Sequence, residues 1–425
     1  MMLPLRQELQ ERGLLKQYSN EALFDLYDRG GQTCYLGVDP SADSLTIGNF
    51  AMFMTALQFM KRWNKLILIV WGETGMIGDP GGKDSERTLV PMEIFEQNFQ
   101  KIDHQVWTLL HTINKLSWYD CQYMIKNNHD FYEHMTFSEF LRSVGKHITV
   151  NSMMNKETVA KRINDPDKSI SYTEFSYMLI QWYDFVKLYQ DYGCKLQICG
   201  SDQRWNGVTG IELIGKMLGQ DDAYVMTSPL ILDSSGKKFG KSEGNAIWLD
   251  PTKNSPYKVY QYFMNVTDDD VGRFLRIYSL LDLSQIQDIQ NRHNQAPERR
   301  MGQKELAYRV CQIIFGTVMA DQAQTISDFM FSAHKLDTLK GADRDLIIQL
   351  AQEVWSLDLG TQEVSIIDAL VQSWLCESRS DAKKNLEQGA IMVDETPIKD
   401  MNFIITSSHL LLQKGKKNMK IIRSY

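Results

Sequence analysis

Leu66-Ile67-Leu68-Ile69-Val70-Trp71 is a run of six apolar residues with no polar interruption. A strand with one wet face alternates apolar and polar residues. An unbroken run belongs to a strand covered on both faces, as in a parallel sheet between helices. The preceding residues agree with this. Thr33 to Val38 is apolar and β-favouring, Asp39-Pro40-Ser41 breaks it, and Ile47 to Trp63 shows helical spacing of apolar residues. Strand, loop, helix, strand is a βαβ unit. The fold class is therefore α/β, with a Rossmann-like parallel sheet. Ligands of such sheets sit beyond the carboxyl ends of the strands. Both strand ends here carry polar, turn-forming residues: Asp39 to Ser44 after the first and Gly72 to Lys83 after the second.

The chain has 425 residues, enough for two or three domains. Residues from about 88 to 170 read as mostly helical and are rich in Trp, Tyr, His and Met, which suggests an insertion that includes a subunit interface. Ser171 and Glu174 then fit a capping box, and Gly193 fits the end of that helix. Lys195 to Cys199 is a short strand ending at Gly200-Ser201-Asp202-Gln203. From about 255 to 345 the pattern is helical. A polar connector leads to a last module from about 362, with helical spacing of Val364, Ile367, Leu370, Val371 and Leu375, a turn at Gln388-Gly389, and short strands to the end. A net charge of −7 excludes a surface coated in basic residues, so any nucleic-acid contact must come from local patches. The six cysteines lack metal spacing and read as reduced thiols. No secretory signal and no membrane-length apolar run is visible.

Five stretches can carry chemistry. Lys238-Phe239-Gly240-Lys241-Ser242 is a glycine-hinged, flexible loop with two cations three residues apart, suited to closing over polyphosphate. A solvated basic turn is the plainer alternative. Ser44-Leu45-Thr46-Ile47-Gly48-Asn49 lies where a loop enters a helix, whose free N–H groups and partial positive charge favour phosphate. An ordinary helix cap would look the same. Gly78-Asp79-Pro80-Gly81-Gly82-Lys83, with Arg87 nearby, is either a phosphate-holding turn or a surface turn. Tyr177, Gln181 and Asp184, spaced i, i+4 and i+7, share one face of a helix whose other residues are apolar. A buried polar face must be satisfied, by a small polar ligand or by an internal network. Gly200 to Gln203 repeats the pattern of strand then polar turn, as an ordinary strand-to-helix connection also would.

In order and spacing these stretches resemble the tyrosyl-tRNA synthetases, the class I aminoacyl-tRNA synthetases specific for tyrosine, in their bacterial and organellar form. The likeness rests on Tyr35-Leu36-Gly37-Val38-Asp39-Pro40-Ser41-Ala42-Asp43-Ser44-Leu45, on Thr46-Ile47-Gly48-Asn49 at the first class I signature, on Thr74 to Pro80, on Thr173 to Tyr177, and on Lys238 to Ser242 at the second signature. It implies a Rossmann-like catalytic domain over 1–228 with a helical insertion, a loop and linker over 229–254, a helical anticodon-binding domain over 255–345, and a small α+β domain over 362–425. That last domain resembles the ribosomal-protein S-four-like RNA-binding domain, through Ser378 to Lys384 and Gln388 to Val393. It adds a basic tail in which RNA-binding residues would be Arg379, Lys383, Lys384, Lys414, Lys416 and Lys417.

The resemblance also assigns roles. Tyr35 and Asp184 would bind the tyrosine hydroxyl. Asp79, Tyr177 and Gln181 would hold its ammonium, and Gln203 would help position its carboxylate. Gly37, Asp39, Ser41 and Gly48 would line the adenylate site, Gly200 and Asp202 the ribose, and Leu230 and Ile231 the adenine. Thr46, Asn49, Lys83, Arg87, Lys238 and Lys241 would act on the departing pyrophosphate. ATP is then a substrate with Mg2+ accompanying it, no tightly bound cofactor or dedicated metal site is implied, and the partners are L-tyrosine, tRNA(Tyr) and a second copy of the chain in the cytoplasm. The first signature usually has histidines where Thr46 and Asn49 stand here. The implied consequence is weaker stabilisation of the pyrophosphate end, on the order of 1–3 kcal/mol. Leu36 lacks a polar group, and Arg204 is an added cation after Gln203. A weakly catalytic RNA-binding homologue and a tryptophan-specific relative are the alternatives.

Overall fold

Six strands form the first sheet: β1 (Gln17–Tyr18), β2 (Thr33–Val38), β3 (Lys65–Val70), β4 (Tyr123–Asn127), β5 (Cys194–Gly200) and β6 (Tyr224–Ser228), in the order β1-β6-β5-β2-β3-β4. The unbroken apolar run is β3, buried at every residue after Lys65. All pairings are parallel except β1 on β6. From β2 the chain winds outward through β3 to β4, then returns to β5 on the other side of β2. The crevice beyond the ends of β2 and β5, where the winding reverses, is where such sheets bind ligands. This structure, a computed structural model, describes all residues except 1, 39–41, 71, 73–90, 118, 155, 164, 166–169, 237–238, 243–244, 332–355, 359–362, 406–409, 416–417 and 424–425. Two compact units divide the chain, Met1–Thr317 and Val318–Tyr425.

The helices of the first unit are α1 (Leu5–Glu11), α2 (Ala22–Asp28), α3 (Ile47–Met60), α4 (Met92–Ser117), α5 (Phe137–Ser143), α6 (Val150–Met154), α7 (Glu157–Ile163), α8 (Tyr172–Tyr192), α9 (Arg204–Leu218), α10 (Pro256–Met264), α11 (Asp268–Tyr278), α12 (Leu283–Gln295) and α13 (Met301–Phe315). Helix α3 ends at Met60, before the expected Trp63. The Asn64 amide donates to the carbonyls of Phe59 (3.0 Å) and Tyr27 (2.8 Å), and Trp63 turns left-handed at φ 60°. Helices α10 to α13 cluster with the sheet in this unit, and residues 332–345 of the expected helical segment lie outside the described residues.

Two sequence readings need detail added. Within the mostly helical segment 88–170 lies a strand that periodicity did not resolve: β4 pairs with β3 from Leu66↔Tyr123 to Val70↔Asn127. As an edge strand, β4 is only partly buried and carries Lys126 and Asn127, so it lacks the apolar signal that exposed β3. At the start of α8 the Ser171 hydroxyl accepts from the Glu174 N–H (3.2 Å), but the reciprocal half of the capping box is missing. The Glu174 carboxylate instead takes both Arg162 amino groups, at 3.1 and 2.9 Å, in a buried ion pair. Gly193 ends α8 at φ 59°, as a left-handed C-cap.

In the second unit, α14 (Thr317–Phe331) starts at the division. Helices α15 (Ile366–Gln372) and α16 (Arg379–Glu387) follow. Labelling the two short strands Lys241–Ser242 and Asn245–Ala246 of the first unit β7 and β8, the strands here are β9 (Ser356–Asp358), β10 (Val364–Ser365), β11 (Ile391–Val393), β12 (Thr396–Pro397), β13 (Ile404–Ile405), β14 (Leu410–Lys414) and β15 (Asn418–Arg423). The main sheet runs β12-β11-β14-β15-β9. Its core joins Ile367 and Leu370 of α15 to Leu386, Ile391, Leu412 and Ile422. Val364, expected in the helix, lies in β10, because Ser365 caps α15 through the Asp368 N–H at 3.1 Å. No helix among the described residues is long and apolar enough to cross a membrane.

Candidate active site

The start of α3 and the loop around Gly240 meet directly. Asn49 and Thr46 cap one another: the Asn49 side-chain oxygen accepts from the Thr46 N–H (2.9 Å) and hydroxyl (2.7 Å), and the Thr46 oxygen accepts from the Asn49 N–H (3.4 Å). The structural reading of these two residues is thus fulfilled, whatever they do for a ligand. Two backbone bonds join the start of α3 to the chain just after the loop, Ile47 N–H to Ile247 O (2.9 Å) and Leu249 N–H to Leu45 O (2.8 Å), and a third, Ile247 N–H to Gly240 O (2.8 Å), ties that chain back to the loop. Gly240 has φ +90°, and a Cβ there would lie 3.0 Å from Ile47 Cγ2 and 3.7 Å from Gly48 N. Only glycine permits that approach with that backbone.

The loop's centre is not the free hinge expected from its composition. Phe239 is buried among Phe274, Tyr262 and Phe263, with ring centroids 4.1, 5.0 and 5.6 Å away. Its N–H donates to Ile231 O at 2.9 Å, and the Gly240 N–H donates to the Tyr262 hydroxyl at 2.8 Å. Apolar burial therefore seats the middle of the loop. Lys241 opens β7, which pairs with β8. Lys238 lies outside the described residues, as do Asp39, Ser41, Asp79, Lys83 and Arg87.

The segment leading into α3 is held by charge. The Asp43 carboxylate meets Lys101 at 2.8 Å and Lys253 at 2.6 Å. Hydrogen bonds from Lys101 and then Lys253 pull its pKa down to about 2. The Gln105 side-chain oxygen accepts from the Leu45 N–H at 2.9 Å. Both Lys101 and Gln105 lie on α4, so this helix braces the loop that enters α3.

On the other side of the crevice, α8 presents its polar face inward. Tyr35 on β2 is 2% exposed and packs on Phe185 with centroids 5.1 Å apart. Burial, then the neighbouring Cys194 and Asp184, pushes its phenol well above the ordinary range. Asp184 is 1% exposed, and its carboxylate accepts from Asn128 (3.0 Å) and from the Tyr132 hydroxyl (2.7 Å). Gln181 donates to the Gln203 side-chain oxygen at 3.4 Å. The Asn206 amide bridges both, donating to Gln181 at 2.9 Å and to Gln203 at 2.8 Å. Tyr177 is buried on the same helix. The fold thus places Tyr35 within electrostatic reach of Asp184 and joins Gln181 to Gln203. Burying a carboxylate and several amide oxygens beside a ligand crevice suits a ligand rich in N–H and O–H donors.

Gly37 lies on β2 opposite Ile69. Gly200 ends β5, and a Cβ there would lie 2.6 Å from the Asp202 carboxylate, so glycine lets that acid fold back over the strand end. Leu230 is half exposed, and Ile231 contributes the carbonyl that holds Phe239. Sequence reasoning gave Asn128, Tyr132 and Asn206 no role. The usable signal was that Asn128 follows a strand, as Asp39 and Ser201 do, but that strand was hidden in a helical reading. In the second unit Arg379 pairs with Asp368 (2.6 Å) and Lys414 with Asp381 (3.1 Å), while Lys383 and Lys384 are exposed. Lys416 and Lys417 lie outside the described residues. All six cysteines are free and buried.

Residues 29–332 match the family of tRNA synthetases class I (W and Y), and residues 346–422 match the tyrosine–tRNA ligase SYY-like C-terminal domain. The chain is 37% identical to the tyrosine–tRNA ligase of Roseiflexus castenholzii over 99% of its own length and 100% of the relative. It is 39% identical to that of Bacillus caldotenax, again over 99% and 100%. Its structure is similar to a C-terminally truncated mitochondrial tyrosyl-tRNA synthetase of Aspergillus nidulans, with TM-score 0.70 and 26% identity over 78% of this chain and 95% of that one. A tryptophanyl-tRNA synthetase of Plasmodium falciparum shares the fold, with TM-score 0.53 and 14% identity over 81% of this chain and 87% of that one. This chain is a class I aminoacyl-tRNA synthetase of the tryptophan and tyrosine group, and belongs within it to the tyrosine–tRNA ligase family.

Proposed function

We propose that this enzyme activates L-tyrosine with ATP and transfers the tyrosyl group to the 3′ end of tRNA(Tyr). The observation that carries the choice of amino acid is the Asp184 carboxylate, buried on the α8 face near Tyr35 and oriented by Asn128 and Tyr132. A phenol hydroxyl donates to that acceptor. An amino acid lacking the hydroxyl cannot make that charge-assisted hydrogen bond, so the pocket binds it less tightly than tyrosine. Gln181, with Tyr177 and Asp79, takes the ammonium, and Gln203, fixed by Asn206, orients the carboxylate.

A carboxylate oxygen of tyrosine attacks the α-phosphorus of ATP. The bond from that phosphorus to the bridging oxygen breaks, and pyrophosphate leaves. The tRNA 3′ hydroxyl then attacks the adenylate carbonyl and releases AMP. Neither step needs a covalent enzyme intermediate, so positioning and charge stabilisation suffice. Thr46, Asn49, Gly48 and the α3 N-terminus bind the nucleotide, a role shared with Gly37, Asp39, Ser41, Gly200, Asp202, Leu230 and Ile231. Lys83, Arg87, Lys238 and Lys241 act on the pyrophosphate, whose charge Mg2+ shares when it arrives with the nucleotide. Helices α10 to α14 and the second unit engage the tRNA in the cytoplasm. Two copies associate through the segment before α8, where Phe137, Leu141, Val150 and Met154 are exposed apolar side chains.

ATP–pyrophosphate exchange with tyrosine, tryptophan and phenylalanine tests the reading. Tyrosine alone should support exchange, and Lys238→Ala should reduce it strongly with tyrosine affinity little changed. Exchange with tryptophan, or with none of the three, would refute the assignment.

A further inference from the structure

Trp374 is the most exposed large apolar side chain among the described residues, at 82%. It does not hang on a loose segment. Its N–H donates to Val371 O at 3.0 Å, and the Cys376 N–H donates to Leu370 O at 3.0 Å, closing the end of α15. Leu375 and Cys376, which follow it, are buried in the core of the second unit. Its backbone is left-handed, at φ 58°. A left-handed residue just after a helix is normally glycine, because a Cβ is strained there. The chain therefore places its largest side chain, in water, at a position where the smallest would relieve strain. Neither core packing nor turn geometry explains that choice.

The surroundings indicate what the ring meets. Ser378 caps α16 four residues later, and α16 buries Ala382 and Leu386 while exposing Arg379, Lys383 and Lys384. From Trp374 to the C-terminus there are nine Lys and Arg against six Asp and Glu, in a chain whose net charge is −7. An exposed, backbone-pinned aromatic ring in a segment rich in exposed cations suits a nucleic acid, whose bases offer π faces and whose phosphates offer charge.

We propose that Trp374 is a stacking platform for an unpaired nucleobase of the tRNA, with Lys383 and Lys384 contacting the adjoining phosphates. This rests on the reading that the second unit binds tRNA. The strain at Trp374 is then retained because the ring is needed outside.

The test uses the full-length enzyme and transcribed tRNA carrying a tyrosine anticodon, with dissociation constants measured over a range of salt. Trp374→Gly should raise the melting temperature, weaken tRNA binding about ten-fold, and leave the salt slope unchanged, because stacking releases no counterions. Trp374→Phe should keep most of the affinity. Lys383→Ala with Lys384→Ala should instead reduce the salt slope by about 1.5. ATP–pyrophosphate exchange should be unchanged in all of them. If Trp374→Gly binds tRNA like the parent while the lysine variant is weakened, stacking is refuted and tRNA binding by this unit stands. If neither variant is weakened, the tRNA reading of the unit fails and the proposal with it. A change in oligomeric mass for Trp374→Gly would also overturn it, by showing that the ring serves a protein contact.

Discussion

Gly240→Ala tests whether the contact between the Gly240 loop and the start of α3 matters to catalysis. The substitution does two things. It places a Cβ on a backbone at φ +90°, where a non-glycine residue costs roughly 1–3 kcal/mol. It also sets that Cβ 3.0 Å from Ile47 Cγ2. Ile47 is fully buried in the first turn of α3 and has nowhere to retreat, so overpacking adds about 1–3 kcal/mol. Gly236→Ala separates the two effects. Gly236 is also left-handed, at φ +80°, but a Cβ there meets nothing within 4 Å. Both variants carry the strain, and only Gly240→Ala carries the clash. The chain can relieve the clash by lifting the loop from α3, which under the proposed function would weaken the action of Lys238 and Lys241 on pyrophosphate. The second term then appears in the adenylation barrier as a loss of about 5- to 150-fold. The assay is ATP–pyrophosphate exchange at saturating tyrosine, with tyrosine affinity measured by equilibrium dialysis and expected to be unchanged. Exchange by Gly240→Ala within two-fold of Gly236→Ala would refute the reasoning, because the contact would then be incidental.

Asn206→Ala removes the donor shared by Gln181 and Gln203. The tyrosine KM should rise about 5- to 30-fold, for a loss of roughly 1–2 kcal/mol, with kcat little changed; steady-state exchange kinetics giving a parental KM would count against the bridge. Glu174→Ala leaves the buried Arg162 without its carboxylate and should destabilise the fold by about 3–5 kcal/mol. Urea unfolding that shows less than about 1 kcal/mol would contradict that estimate. Asp43 has its folded pKa lowered to about 2 from 3.8 by Lys101 and Lys253. A depressed carboxylate contributes stability that is present above its unfolded pKa and lost as pH falls through the folded one. Asp43→Asn should therefore flatten the fall in unfolding midpoint between about pH 4 and pH 2, and curves that stay parallel there would exclude the contribution.

Legibility followed the range of the interaction. The unbroken run of β3, the β2–α3–β3 unit and the Gly193 stop of α8 express local preferences and can be read from a few residues. Resemblance then proposed pocket residues one at a time. It did not supply their supports. Nothing near Asp184 in sequence announces Asn128, 56 positions away, or Tyr132, 52 away. The capping box at Ser171 looked complete until Arg162 claimed Glu174, because a buried guanidinium competes more strongly for a carboxylate than an exposed N–H does. The loop of Gly240 read as flexible because its residues are small and charged, yet a single phenylalanine seats it.

Residue order alone determined the α/β class, the positions of the strand ends where a ligand can bind, and a polar face on α8. Period and punctuation are properties of neighbouring residues, so they survive without a partner. Only the tertiary structure decided that Tyr35 comes within electrostatic reach of Asp184 and that Gly240 rests on Ile47. Those meetings depend on sheet order, with β5 returning beside β2, and on the backbone conformation of a glycine whose crowding comes from a helix nearly two hundred residues earlier in the chain.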